Sequence, residues 1–244
     1  MSILNQKTIR DKIYFKGVGL HTGKDVELKL LPSEPNSGII FKRTDLIKNN
    51  IVIPIFNNVV DTTLCTTVSN EYGVKVSTIE HLMGALYGLG IDNLIVEVNS
   101  QELPILDGSA KLYIDKIIST GIQSSSTPIK LIKINKKVSY IEGTKSISID
   151  KSKVASEIDF EIKYKNNIIG SQRNKINVFN DDLKEIFESR TFCLYEDVEK
   201  LKKAGLAKGG TLENAVVVGE EEIINKEGLR NINEFVNHKI LDCM

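Results

Sequence analysis

Residues 76–93 read VSTIEHLMGALYGLGIDN and contain a clear helix signal. A capping motif followed by an apolar run with small residues is typical of a buried helix. Ser77 and Glu80 have the spacing of a capping box, so the simplest interpretation of Glu80 is a helix cap. His81 would then be an ordinary polar residue of the first turn. Because both would lie at the end of a buried helix, both need polar partners.

Short runs of mixed apolar and polar residues flank this helix, and Gly, Pro, Asn and Ser separate them. Such runs are typical of β-strands joined by turns. The strands predicted before the helix cover residues 7–15, 25–31, 38–42, 51–55, 64–69 and 74–76. A strand over 93–98 and a helix over 109–120 are predicted after it.

The stretch GIQSSSTP, residues 121–128, contains three serines, a glycine and a proline, so we predict a linker there. This divides the chain into a first domain, 1–125, and a second domain, 126–244. Predicted strands in the second half cover 129–134, 137–141, 146–149, 157–164 and 215–218, and predicted helices cover 181–188, 196–204 and 233–244. Strands followed by helices in both halves predict two similar α+β domains packed together.

The composition excludes several classes of protein. The 244 residues include 32 Lys and Arg and 32 Asp and Glu, so the net charge of zero argues against broad binding of nucleic acid. No apolar run approaches the roughly 18 residues of a membrane span, and no secretory signal is seen, so we expect no transmembrane anchor. Three widely spaced cysteines do not form a disulfide framework, which favours the cytoplasm.

Two of the three histidines, His81 and His238, could take part in a metal site. His238 and Asp242 are four residues apart, so they share one face of the last predicted helix. In isolation that pair is more simply an ordinary bond on an exposed face. Two imidazoles and one carboxylate are nevertheless the three ligands that a catalytic zinc requires, and Glu80 could then act as the base. Spacing alone leaves open whether positions 81 and 238 meet.

Several longer motifs occur in a fixed order, from about residue 5 to the end of the chain. They are GVGLHTGKDVELKLLP, TTLCTTV, STIEHLMGALYGLGIDNLIVEVN, ELPILDGSA, SRTFC, GLAKGGTLENAVVV and EFVNHKILD. Together they resemble the UDP-3-O-acyl-N-acetylglucosamine deacetylases, the zinc enzymes of lipid A synthesis. The resemblance implies two α+β domains in a sandwich with a zinc site between them.

The resemblance also implies roles for particular residues. The family's zinc ligands fall on His81, His238 and Asp242, although iron(II) also suits this ligand set. The catalytic base falls on Glu80, and the threonine that helps to stabilise the oxyanion falls on Thr191. The implied substrate is UDP-3-O-acyl-N-acetylglucosamine, whose acyl chain leaves room for transient contact with a membrane.

Further motif positions imply contacts with that substrate. Phe192 matches an aromatic residue that contacts substrate, and Lys239 matches a lysine that serves substrate binding. Cys65 matches a cysteine beside the active site that is not a ligand. Residues 194–224 match an inserted β-α-β unit that lines a passage for the acyl chain. We expect no ligand role for His21, which we interpret as stabilising a turn between glycines.

Members of the family continue beyond the motif that contains His238 and Asp242, and their general-acid histidine lies in that later segment. We therefore expect this sequence to be C-terminally truncated, with weak activity or none in the 244-residue form. One alternative is a non-catalytic remnant that still binds zinc or a nucleotide sugar. A second alternative is a structural α+β protein, in which the polar pairs are only caps and surface bonds.

Overall fold

The computed structural model of the protein describes residues 4–153 and 156–244. The strands are β1 (Asn5–Ile9), β2 (Ile13–Val18), β3 (Asp25–Pro32), β4 (Ile39–Arg43), β5 (Ile51–Val52), β6 (Val59–Asp61), β7 (Thr67–Ser69), β8 (Lys75–Ser77), β9 (Leu94–Val98), β10 (Ile122–Pro128), β11 (Val138–Glu142), β12 (Lys145–Ile149), β13 (Glu157–Lys163), β14 (Ser171–Asn177), β15 (Phe192–Leu194) and β16 (Val216–Val218). The helices are α1 (Glu80–Leu89), α2 (Lys111–Thr120), α3 (Lys184–Glu188), α4 (Tyr195–Lys203) and α5 (Glu234–Cys243). The predicted α+β class is confirmed.

A five-stranded sheet supports the first part of the chain. Its order is β2-β3-β9-β4-β5, with β4 and β9 parallel and the other pairs antiparallel. In β3 the side chains of Val26, Leu28 and Leu30 alternate with more exposed residues and are buried, as expected for a strand with one face in the core. These side chains belong to the same core as Leu82 and Leu86 of α1 and the C-terminal residues Ile240 and Leu241 of α5.

Helices α1 and α5 pack against each other, and this contact brings distant parts of the sequence together. Gly84 of α1 makes the close approach possible. A Cβ added to Gly84 would lie 2.7 Å from Cδ1 and 2.8 Å from the carbonyl oxygen of Leu241 in α5. The glycine is therefore required by packing, although glycine lowers the stability of a helix interior.

We predict that Gly84→Ala destabilises the protein by about 1–3 kcal/mol, because the new methyl group overpacks the α1–α5 contact. Alanine's better helix propensity offsets roughly 1 kcal/mol of that loss. Gly84→Val, with a larger side chain, should be destabilised further. Urea unfolding of the three proteins tests this, and a Gly84→Val variant as stable as wild type would contradict the packing argument.

The predicted linker is wrong. Residues Ile122–Pro128 form strand β10, which pairs antiparallel with β1 at the opposite end of the sequence. The serines are tolerated because Ser124 and Ser126 are exposed and Ser125 is only partly buried. One hydrophobic core spans position 125: it contains Leu82, which precedes this position, and Ile186 and Leu241, which follow it. The division into 1–125 and 126–244 remains a prediction.

Other element boundaries also differ from the predictions. The run 7–15 is two strands, β1 and β2, and residues 129–134 form no strand. Strand β14 was not predicted, because Ser171–Asn177 is polar throughout except for Ile176. The predicted β-α-β unit over 194–224 is confirmed in outline, since β15 and β16 are parallel and α4 lies between them in sequence.

Candidate metal centre

His81, His238 and Asp242 come together where α1 and α5 meet. One ligand atom from each residue lies within 4.8 Å of the others. The two imidazole rings are nearly perpendicular, with their centroids 4.9 Å apart. His81 is 4% exposed and His238 is 1% exposed. The interpretation of His238 and Asp242 as a pair on an exposed face is therefore wrong.

A hydrogen bond orients the imidazole ring of His238 so that Nε2 faces Asp242. Its Nδ1 lies 3.1 Å from the carbonyl oxygen of Ser189, which can only accept a hydrogen bond, so a neutral ring carries its proton on Nδ1. The lone pair of Nε2 then faces Oδ1 of Asp242 at 3.5 Å. Within residues 4–153 and 156–244 this Oδ1 is buried without a hydrogen-bond partner. Two facing acceptors of this kind suit a cation placed between them.

The protonation states also suit a metal. Burial, followed by the neighbouring His238, lowers the pKa of His81 to about 3, and burial lowers the pKa of His238 as well. Both rings are therefore neutral at pH 7, which is the form that binds metal. Burial acts to raise the pKa of Asp242, but His238 and the Lys239 ammonium outweigh it and keep the carboxyl ionised. The donor set fits a divalent ion.

Glu80 is the first residue of α1 and lies next to this cluster. Its Oε2 accepts a hydrogen bond from the backbone N–H of Thr66 at 3.0 Å. Burial is the main cause that raises the pKa of Glu80 to about 7, and the negative charge of Asp242 adds to it. A carboxylate with such a pKa is suited to accept a proton at neutral pH.

The predicted capping box is wrong. The helix begins at Glu80 itself, Ile79 occupies the N-cap position, and no side chain caps the helix. Ser77 ends strand β8, where its Oγ accepts a hydrogen bond from the hydroxyl of Thr67. Glu80 is therefore at N1 rather than N3, and its carboxylate is free of a capping role.

The raised pKa of Glu80 predicts a stability effect in the metal-free protein. The folded pKa of about 7 exceeds the ordinary value of 4.5, so the folded state binds more protons between these pH values and loses stability as the pH rises. Glu80→Gln cannot ionise, so it should be more stable than wild type by about 3 kcal/mol at pH 8 and little different near pH 4. Urea unfolding with a chelator present measures this, and a variant less stable at pH 8 would contradict it.

Lys239 and Phe192 lie beside the cluster. The Lys239 ammonium bonds Oδ2 of Asp242 at 2.8 Å and lies 5.5 Å from the centroid of the Phe192 ring. The Phe192 ring is in turn 6.4 Å from that of His238, centroid to centroid. The Lys239 side chain is 34% exposed, so it faces both the cluster and solvent.

Thr191 and Cys65 were also predicted at the site. Thr191 is fixed through its backbone, which donates to the carbonyl of Gly108 and accepts from the N–H of Val216, both at 2.8 Å. Cys65 is partly buried, and burial together with the nearby Glu80 raises the pKa of its thiol. A protonated thiol agrees with the expectation that Cys65 is not a ligand.

His21 lies outside the cluster. Its backbone N–H donates to Oε1 of Glu102 at 2.8 Å, and the N–H of Thr22 donates to Oε2 of the same carboxylate. Among the described residues, neither ring nitrogen of His21 has a hydrogen-bond partner. The turn is thus held by the backbone and Glu102 rather than by the imidazole, which the sequence analysis did not foresee.

Sequence reasoning also missed the residues that pack against the cluster and fix its orientation. Ser189 fixes the ring of His238, and the buried Arg190 bonds the buried Glu234. Glu234 precedes His238 by four residues, so the same i, i+4 pattern that linked His238 to Asp242 could have revealed it.

Comparisons with known proteins identify the family of this chain. The family model for "LpxC: UDP-3-O-acyl N-acetylglycosamine deacetylase" matches residues 6–244. A protein of that name from Myxococcus xanthus is 44% identical, over 100% of this chain and 77% of the relative. Those from Teredinibacter turnerae and Haemophilus ducreyi are 43% and 40% identical, each over 99% of this chain and 80% of the relative. In the part of the chain that the structure describes, no helix has both the length and the apolar character to cross a membrane.

Proposed function

Because this chain belongs to the LpxC family of UDP-3-O-acyl N-acetylglycosamine deacetylases, we propose that it hydrolyses the acetamide of UDP-3-O-acyl-N-acetylglucosamine. The reaction releases acetate and a free amine, and it is the deacetylation step of lipid A biosynthesis. The observation that carries the proposal is the cluster of two buried, neutral imidazoles and one carboxylate, with Glu80 beside it.

We assign the metal ligands to His81, His238 and Asp242, and the ion to zinc. Two imidazole nitrogens and one carboxylate oxygen leave a fourth position open, as in catalytic zinc sites. Iron(II) binds similar ligand sets and is the second candidate. A bound ion would lower the pKa of a water ligand to about 7 and polarise the acetyl carbonyl.

Glu80 is the general base in this proposal. Its carboxylate lies beside the ligand cluster, and its pKa of about 7 allows it to accept the proton of the attacking water at neutral pH. The same carboxyl group, once protonated, can return that proton to the departing nitrogen. The nitrogen then leaves as an amine rather than as an unstable anion.

Thr191 would stabilise the reacting group of the substrate, and Lys239, Phe192 and Cys65 would contact the rest of it. We assign the Thr191 hydroxyl as a donor to the developing oxyanion, a role in which one donor contributes about 3 kcal/mol. Lys239 faces solvent beside the cluster and carries the positive charge that a nucleotide diphosphate requires. The Phe192 ring would pack against the sugar, and Cys65 would contribute to the wall of the site.

The remaining assignments concern the acyl chain and the location of the reaction. The β-α-β unit that includes α4 would line a passage for the acyl chain, and that chain would bring the enzyme into transient contact with a membrane surface. All three cysteines are free thiols, which supports the proposed cytoplasmic location.

The test is to incubate the 244-residue protein with UDP-3-O-acyl-N-acetylglucosamine and to measure both products. We expect acetate and the free amine in equal amounts, with no release from the same substrate already deacetylated. Release of the fatty acid in place of acetate would show that the 3-O ester, and not the acetamide, is the bond cleaved. No release by a folded, zinc-loaded protein would overturn the proposed function.

A further inference from the structure

Arg190 and Glu234 form a buried ion pair one helical turn of α5 before His238. Arg190 is 1% exposed and Glu234 is 0% exposed. The backbone N–H and Nε of Arg190 both donate to Oε1 of Glu234, at 3.0 and 2.8 Å. Nη2 of Arg190 also donates to the carbonyl of Gly228 at 2.7 Å, and the backbone N–H of Arg230 donates to Oε2 of Glu234 at 2.6 Å.

This pair joins the two segments that carry the site. Glu234 is the first residue of α5, and His238 and Asp242 follow on the same face at four-residue intervals. Arg190 lies between Ser189, whose carbonyl contacts Nδ1 of His238, and Thr191. One face of α5 therefore contacts the chain at Ser189 and Arg190 through two successive turns.

We propose that the Arg190–Glu234 pair is a positioning element, which sets the rotation of α5 against residues 189–191. It thereby aims Nε2 of His238 at the metal and sets where the Thr191 hydroxyl lies. The inference deepens the proposed function and rests on it for the role of Thr191. The part that concerns His238 requires only that the cluster binds a metal.

The physical chemistry favours positioning over stability as the reason for the pair. A buried ion pair loses so much hydration that well-packed apolar residues of similar volume often stabilise a protein equally well or better. Its directional bonds, in contrast, fix geometry, because the guanidinium fork and carboxylate meet at defined angles. Partners of metal-binding histidines typically change metal affinity by about 10–100-fold when removed.

The experiment replaces the pair by apolar residues of similar size, Arg190→Met with Glu234→Leu. Zinc affinity is measured by chelator competition, and the visible absorption of bound Co²⁺ reports the number and geometry of its ligands. We expect the double variant to fold but to unfold at a lower urea concentration than wild type, because Glu234→Leu also removes the acceptor for the backbone N–H groups of Arg190 and Arg230. It should bind zinc about 10–100-fold more weakly and show an altered Co²⁺ spectrum. Native zinc affinity with a native spectrum would overturn the proposal.

A matched control and a second variant complete the test. Arg173 and Asp159 form a bidentate pair on the exposed side of β13 and β14, and replacing both by alanine should leave zinc affinity unchanged. If the double variant does not fold, Arg190→Lys keeps the charge but loses the fork. A folded Arg190→Lys variant should also bind zinc more weakly, and native affinity there would overturn the proposal.

These measurements need no substrate, so they are independent of the proposed reaction. A wild-type protein that binds zinc but releases no acetate would contradict the proposed function alone. Native zinc binding in variants of an active enzyme would contradict the positioning role alone.

Discussion

Glu80→Gln should lower acetate release by about 10²–10⁴-fold without lowering the zinc content of the protein. Glutamine keeps the shape of the side chain and an acceptor for the N–H of Thr66, but it cannot take a proton from water. The proposed metal ligands are untouched, so the loss should appear in kcat rather than in metal binding. The same variant is expected to be more stable than wild type when metal-free at pH 8. Stability and activity would then change in opposite directions at one residue.

Steady-state rates and metal analysis on the same samples measure this effect. Glu71→Gln is the matched control, because Glu71 is an exposed carboxylate in a turn outside the site. Turnover of Glu80→Gln equal to that of wild type would exclude Glu80 as the base. Loss of zinc together with activity would mean that Glu80 is a metal ligand rather than the general base.

His238→Ala should remove both metal binding and activity. It deletes one of the three proposed ligands and leaves Asp242 facing a cavity, so we expect zinc affinity to fall by more than the roughly 100-fold that a lost outer partner causes. Excess zinc should restore little activity, because the two remaining ligands do not fix the ion. His81→Ala is expected to behave alike, since its imidazole is the other nitrogen ligand.

His21→Ala is the matched control for metal binding. It removes the one histidine that lies outside the cluster, so the protein should keep its zinc. Chelator competition on the folded variants gives the affinities. A His238→Ala protein that binds one equivalent of zinc as tightly as wild type would show that the ion is held elsewhere.

Local patterns predicted the helices that carry the site. The apolar run after Glu80 predicted the existence of α1, and the helix predicted over 233–244 differs from α5 by one residue at each end. The start of α1 was misplaced because Ser77 belongs to a strand that pairs with β7, a tertiary effect that no capping pattern records. The serine-rich β10 was misread for the same reason, since its partner β1 lies at the other end of the sequence.

The meeting of His81 with His238 could not be derived from spacing. It depends on how closely α1 approaches α5, and that distance is set by the missing side chain at Gly84. The resemblance of the motifs pointed to His81, His238 and Asp242 as ligands, whereas the structure showed that the two imidazole rings are buried and neutral. It also showed that, within residues 4–153 and 156–244, Oδ1 of Asp242 has no hydrogen-bond partner. Arg190 and Glu234 escaped notice because a buried ion pair looks like two surface charges in a sequence.

The most direct test of the central claim is a zinc titration of the metal-stripped protein, with acetate release from UDP-3-O-acyl-N-acetylglucosamine measured at each addition. The account predicts no release without metal, a linear rise, and a plateau at one equivalent of zinc per chain. Release that is unchanged by stripping the metal, or that never appears although one equivalent of zinc is bound, would contradict it.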